Sequence, residues 1–158
     1  MTSPLALRGK WTFRARGRQV VLAKKSDERE THVLLKAFLW ALYLPAYPDL
    51  QVEMPAGGRY KPDLVQFDAG GAPVFWGEAG VVGERKLRDL ARRRGLHIVL
   101  AKWNARLDPF DRMIHRAIRG VNRRAPLELI GFPEDAAEAF LDGRDIRIDP
   151  NRLEWRRF

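Results

Sequence analysis

Residues 60–80, YKPDLVQFDAGGAPVFWGEAG, read as a β-hairpin about which the rest of the chain has to be arranged. Residues 64–67 make one strand and 74–76 the core of the next. Gly70 and Gly71 lie between them and tolerate the positive φ that a two-residue hairpin loop demands. With that loop, Phe67 faces Val74, Val65 faces Trp76 and Asp63 faces Glu78. Directly opposed side chains on one face of such a pair lie about 5 Å apart.

Facing carboxylates repel, and sheets avoid them. A divalent cation between them removes the repulsion. Two hard oxygen ligands at this spacing suit Mg²⁺ or Mn²⁺, with water filling the remaining positions. The alternative is a register slipped by one residue, which sends the two side chains to opposite faces and leaves one carboxylate exposed at a strand end.

Composition removes other chemistries. The 158 residues contain no cysteine, which excludes disulfides, thiolate zinc sites and a cysteine nucleophile. Serine occurs only at Ser3 and Ser26, without a GxSxG elbow, which argues against a serine hydrolase. Phosphate loops of the GxGxxG and GxxxxGK[ST] types are absent, and His32, His97 and His115 form no HxxxH or HExxH pairing. With 46% hydrophobic and 31% charged residues, the expectation is one domain over 1–158, carrying an N-terminal β-hairpin and a C-terminal extension. No apolar run is long enough to span a membrane and no leader is evident, so a cytoplasmic protein without membrane contact is expected.

The net charge of +9 is clustered. Residues 1–25 contain Arg8, Lys10, Arg14, Arg16, Arg18, Lys24 and Lys25 and no acid. A second run is Arg85, Lys86, Arg88, Arg92, Arg93 and Arg94, and a third extends from Arg112 to Arg124. Clustered positive charge suits a polyanion partner, nucleic acid above all. A merely solvated surface is the alternative.

In chain order, residues 1–9 are expected to be loosely attached. Residues 10–16 alternate as a half-buried strand, Gly17-Arg18 turns, and 19–23 return. Asp27 and Glu30 make a capping box for a helix over 28–44. Its apolar stripe includes Val33, Leu34, Ala37, Phe38, Ala41 and Leu42. Glu30 lies on that stripe and points inward, Glu28 lies off it, and His32 is read as a surface residue. Glu30 is then either a cap and dipole partner or a further acid of the metal site. A short strand at 50–54 precedes the hairpin. The helix 84–94, ended by Gly95, directs Leu87 and Leu90 inward, with Lys86 flanking that face and Arg85 pointing away. Residues 96–101 read as a buried strand parallel to the one before the helix. Further on, helices are expected at 109–120 and 133–141, with strands at 127–130, 144–149 and 153–155.

Pro62-Asp63 followed by Glu78-Ala79-Gly80 resembles the PD-(D/E)xK nuclease superfamily, in which an Asp and a Glu on a hairpin bind the metal and a Lys two residues beyond the Glu assists. Gly80 stands here in the place of that Lys. The wider pattern resembles the YaeQ family in three pieces: SDERETHVLLKAFLWALY at 26–43, KPDLV with VFWGEAG, and GERKLRDLARRRGLHIVLAKW at 83–103. That family also has Glu-x-Gly and displaces the basic residue into the next helix. Arg85 and Lys86 fall against a Lys-Arg pair there, in swapped order; geometry favours Lys86, with Arg85 next. The resemblance covers about half of the chain, residues 20–103; the C-terminal third matches poorly.

The resemblance implies an α/β (α+β) fold with a restriction-endonuclease-like core, a mixed β-sheet flanked by helices on both faces. The activity it implies is Mg²⁺- or Mn²⁺-dependent phosphodiester hydrolysis of DNA. Asp63 and Glu78 would be metal ligands and catalytic, Lys86 and Glu30 would be catalytic, and Arg85, Arg88, Arg92 and Arg93 would hold the nucleic-acid backbone. Two alternatives stand beside it: a non-catalytic nucleic-acid-binding protein on the same scaffold, or a protein–protein adaptor.

Overall fold

The computed structural model describes residues 9–158. Apart from Gly9, the expectation for 1–9 lies outside those residues. Over these described residues the fold is mixed α/β, with four α-helices and two mixed sheets. The larger sheet has six strands in the order β10-β7-β6-β5-β4-β3, namely Glu154–Arg157, Leu127–Phe132, His97–Trp103, Pro73–Ala79, Leu64–Phe67 and Gln51–Val52. Strands β5, β6 and β7 are parallel, and β10, β4 and β3 are antiparallel to their neighbours. The smaller sheet is β2-β1-β9-β8, with β1 at Gly9–Ala15, β2 at Arg18–Lys24, β8 at Leu141–Asp142 and β9 at Asp145–Ile146.

Alternation along the parallel strands sorts the core into two halves. Phe75, Ala79, Val99, Ala101, Ile130 and Phe132 face α1, Glu30–Tyr43. Trp76, Ile98, Leu100, Leu127 and Leu129 face α2, Glu84–Ala91, and α3, Asp108–Ala117. Helices therefore cover both faces of the large sheet. Helix α1 is buried almost all round, because it lies between the large sheet and the β1–β2 hairpin. A helix apolar on every side needs such double cover. The single stripe expected for α1 is thus too narrow, and the N-terminal hairpin is the second wall of the core instead of an appendage.

The central hairpin keeps the expected register where it matters. Leu64 pairs with Gly77, Val65 with Trp76 and Gln66 with Phe75. Gly77 is needed for that approach, since a Cβ there would stand 3.3 Å from Leu64. The loop, however, is longer than Gly70-Gly71. Phe67 pairs with Pro73 across a bulge. The Asp68 carboxylate accepts from the Gly70 and Ala72 N–H groups, both at 2.9 Å, and so organises a wider turn. The bulge absorbs the extra residue, and the register toward Asp63 is preserved.

Three boundaries differ from expectation for identifiable reasons. The first hairpin turns at Arg16-Gly17, with φ of 52° and 74°, the positive pair that a tight hairpin loop uses. Helix α1 starts at Glu30 behind an Arg29 cap that is extended and makes no side-chain cap bond, so the Asp27–Glu30 capping box does not form. Helix α2 ends at Ala91 rather than 94. Arg123 donates to the carbonyl oxygens of Ala91, Arg93 and Leu96 there, which satisfies an early helix end.

Candidate active site

Asp63, Glu78, Lys86 and Lys102 gather at the carboxyl ends of β5 and β6, where open α/β sheets commonly place ligands. Asp63 lies just before β4, next to Glu78 of the paired strand β5. Its N–H donates to Gly77 at 3.1 Å, and its Oδ2 accepts from the Ala79 N–H at 2.8 Å. Glu78 is 4% exposed. Its Oε1 accepts from Trp76 Nε1 at 2.8 Å and lies 2.5 Å from Lys86 Nζ. These contacts use one oxygen of each carboxylate, leaving Asp63 Oδ1 and Glu78 Oε2 for another ligand.

The two acids are pushed apart electrostatically. Burial raises the pKa of Glu78, with Lys86 and Trp76 opposing and the Asp63 charge adding to the rise. Burial also acts to raise Asp63, but the His32 imidazole and the Ala79 N–H outweigh it and hold the pKa below the usual range. Paired titratable groups with divergent environments are a feature of acid–base sites.

Lys86 sits in the first turn of α2, with its Nζ 5.7 Å from the centre of the Tyr60 ring. Arg85 points outward into solvent. The geometry therefore gives the reach to Glu78 to Lys86. Arg88 pairs with Glu84 at 2.9 Å, Arg92 is exposed, and Arg93 lies 5.8 Å from the Trp76 ring centre. Arg85, Arg88 and Arg92 follow one another along the outer side of α2 and the turn after it, an open basic edge beside the carboxylates.

The structure does not bring Glu30 to this site; Glu28 comes close instead. Glu28 Oε2 contacts His32 Nδ1 at 2.6 Å and Lys36 Nζ at 2.7 Å, while His32 Nε2 stands 3.6 Å from Asp63 Oδ2. Lys36, 1% exposed, also reaches Glu53 at 2.5 Å. Helical periodicity assigned the inward position to Glu30. That periodicity holds only inside α1, and Glu28 lies in the turn before it, where its carboxylate folds back along the helix. His32, read from the sequence as a surface residue, is half-buried between Glu28 and Asp63, and its pKa is raised by Asp63 and then by Glu28.

Lys102 was the less visible member. It stands next to last in the strand HIVLAKW, and that position is the signal: a lysine on a buried strand needs a partner. It is 4% exposed, donates to the Gly80 carbonyl oxygen, and lies 4.1 Å from the centre of the Phe110 ring. Burial lowers its pKa to about 8, against the pull of Glu78.

The donor set meets the needs of Mg²⁺ or Mn²⁺ in part: two neighbouring carboxylates, each with an oxygen to spare, and no soft ligand. Among the described residues no cluster of three His, Cys, Asp or Glu has metal-site geometry. A cation held here would therefore retain several waters, as Mg²⁺ commonly does.

This α/β arrangement has relatives among solved structures. The crystal structure of the YaeQ protein from Xanthomonas axonopodis pv. citri matches 89% of this chain and 81% of its own, with a TM-score of 0.60 and 23% identity. The crystal structure of the YaeQ protein from Pseudomonas syringae matches 94% of this chain and 92% of its own, with a TM-score of 0.64 and 15% identity. The fold is thus one that YaeQ proteins have. No protein-family model matches the sequence, and no curated protein sequence does. Among the described residues no helix is long and apolar enough to cross a membrane.

Proposed function

We propose that the chain is a YaeQ-like member of the PD-(D/E)xK superfamily, a metal-dependent phosphodiesterase that hydrolyses DNA in the cytoplasm. The observation that carries this reading is the placement of Asp63 beside Glu78, with Lys86 on Glu78. Asp63 and Glu78 would hold Mg²⁺ or Mn²⁺ through their second oxygens. The cation would lower the pKa of a bound water and neutralise charge on the phosphate oxygens.

The remaining work falls to the protein's own residues. Lys86 stabilises negative charge on the phosphoryl group, and the Trp76 indole N–H holds one oxygen of Glu78 in place. The Ala79 N–H and His32 orient Asp63. Arg85, Arg88, Arg92 and Arg93 contact backbone phosphates, which makes binding salt-dependent. Glu30 has no part in this account; Glu28, acting through His32, is the acidic neighbour of the site.

One observation favours a second reading, a non-catalytic nucleic-acid binder. Gly80 replaces the motif lysine, and Lys86 already neutralises Glu78. Incubation of mixed DNA substrates at low salt with Mg²⁺, Mn²⁺ or EDTA separates the two. Metal-dependent cleavage by the wild type that disappears in Glu78→Ala supports the phosphodiesterase. Salt-sensitive binding without cleavage supports the binder.

A further inference from the structure

The two ends of α1 face different chemistry. His32 near its start meets Asp63, whereas Ala41 and Leu42 near its end line a groove of about 920 Å³. Nine residues separate His32 from Ala41, so the two places lie about 14 Å apart along the helix. The groove is closed by the β1–β2 turn on one side and by residues 145–150 on the other. Ligand sites commonly occupy ~300–1,000 Å³.

The rim is cationic and partly fixed. Arg14, Arg16, Arg18 and Arg147 line it, against the single carboxylate of Asp145. Arg14 is tied to Asp145 at 3.1 Å, and Arg18 donates to the Pro48 carbonyl oxygen. Asp145 is thereby engaged, and Arg16 and Arg147 make no ion pair with another described residue. Arg16 also stands at φ 52°, a conformation that Asn or Gly adopts at lower cost. The sequence thus accepts backbone strain to put a guanidinium at the lip. The floor, with Leu42 and Ile146, is apolar.

We propose that this groove is a second anion site, taking a phosphate-bearing organic ligand of nucleotide size. The guanidiniums suit phosphate oxygens, while the apolar floor and the volume suit an attached organic group better than inorganic phosphate. The same chemistry is offered by a free nucleotide or by a nucleotide at the end of a single strand. The site does not depend on the phosphodiesterase reading.

The test uses the full chain and the double variant Arg16→Asn with Arg147→Gln. Asn keeps the positive-φ residue unstrained, and neither side chain holds another element in place. Adenosine 5′-diphosphate is titrated calorimetrically. A single-stranded oligonucleotide of about ten nucleotides, within the range of single-strand sites, is followed by anisotropy over a salt series. Wild type is expected to bind at least one probe, about tenfold more tightly than the double variant. For the oligonucleotide the salt slope should also fall by about 1.4, from two lost phosphate contacts at ~0.7 each. Diphosphate binding that the double variant weakens identifies a free nucleotide as the ligand; oligonucleotide binding alone that the double variant weakens identifies a strand end. The proposal is overturned by a wild type that binds neither probe, or by a double variant that binds as tightly as wild type every probe the wild type binds.

Discussion

Lys102 donates from its Nζ to the carbonyl oxygen of Gly80, across the parallel pair of β5 and β6. Gly80 itself has φ +88°, where an L side chain is strained. The local backbone thus accounts for the absence of lysine from the position that the motif assigns to it. The neighbouring strand brings an amine to that same peptide, and α2 brings a second, Lys86, to Glu78. Positive charge reaches the site from two directions, neither of them the residue after Ala79.

Lys102 has a pKa of about 8 in the fold, lowered by burial. Between there and the unfolded value of about 10.4 the unfolded chain holds the proton and the folded chain does not. Stability should therefore rise with pH across that window, by on the order of 1–3 kcal/mol. Urea unfolding at about pH 7 and about pH 10 measures it. In Lys102→Met the rise attributable to this residue should vanish; parallel shifts in the two proteins would remove Lys102 as its source.

A lysine at position 80, where the motif that the sequence resembles has one, should harm the protein. Gly80→Lys places a side chain at positive φ, which costs about 1–2 kcal/mol. Space is not the obstacle, since a Cβ at Gly80 would sit 3.7 Å from His32 Cδ2. A lowered midpoint with unchanged unfolding slope is the expected result. A midpoint equal to or above wild type would show that the turn accepts a side chain.

Glu28 and Glu30 should behave differently although they are two residues apart. Glu28→Gln takes a charged partner from buried Lys36, and breaking a buried pair costs about 3–5 kcal/mol. Glu53 remains as a second partner of Lys36, so the lower part of that range is expected. Glu30→Gln, away from these contacts, should stay within about 0.5 kcal/mol. Thermal or urea unfolding distinguishes them; equal effects would contradict the placement of Glu28.

Arg123 closes the end of α2 through three carbonyl oxygens. Arg123→Met fills a similar volume but leaves those acceptors short of a donor, at about 1–3 kcal/mol. Hydrogen exchange should speed up in residues 91–96 before it does in β6. Unchanged exchange there would show that the turn holds without Arg123.

The parts of the fold legible in the sequence are those governed by period and local turn chemistry. Leu64, Val65 and Gln66 alternate against Gly77, Trp76 and Phe75, so the register beside Asp63 could be read directly. The loop could not, because the Asp68 carboxylate selects a wider turn than the glycine pair suggests. Helix α1 was legible as a helix, but not as one enclosed by two sheets. A stripe count does not show that Leu35, Leu39 and Trp40 on its other sides are also buried. Lys86 follows from helical geometry. Glu28 and His32 do not, since one lies before the helix and the other meets Asp63 only through tertiary packing. Lys102 belongs to a strand whose place beside β5 is set by the crossover.

The proposed activity requires Asp63 and Glu78 to hold one divalent cation jointly. Mn²⁺ titration by calorimetry and electron paramagnetic resonance, on wild type, Asp63→Asn and Glu78→Gln, tests that directly and without any substrate. One bound Mn²⁺ in the wild type, weakened at least tenfold in each variant, is the predicted result. Absence of binding in the wild type, or binding that survives in both variants, would contradict it.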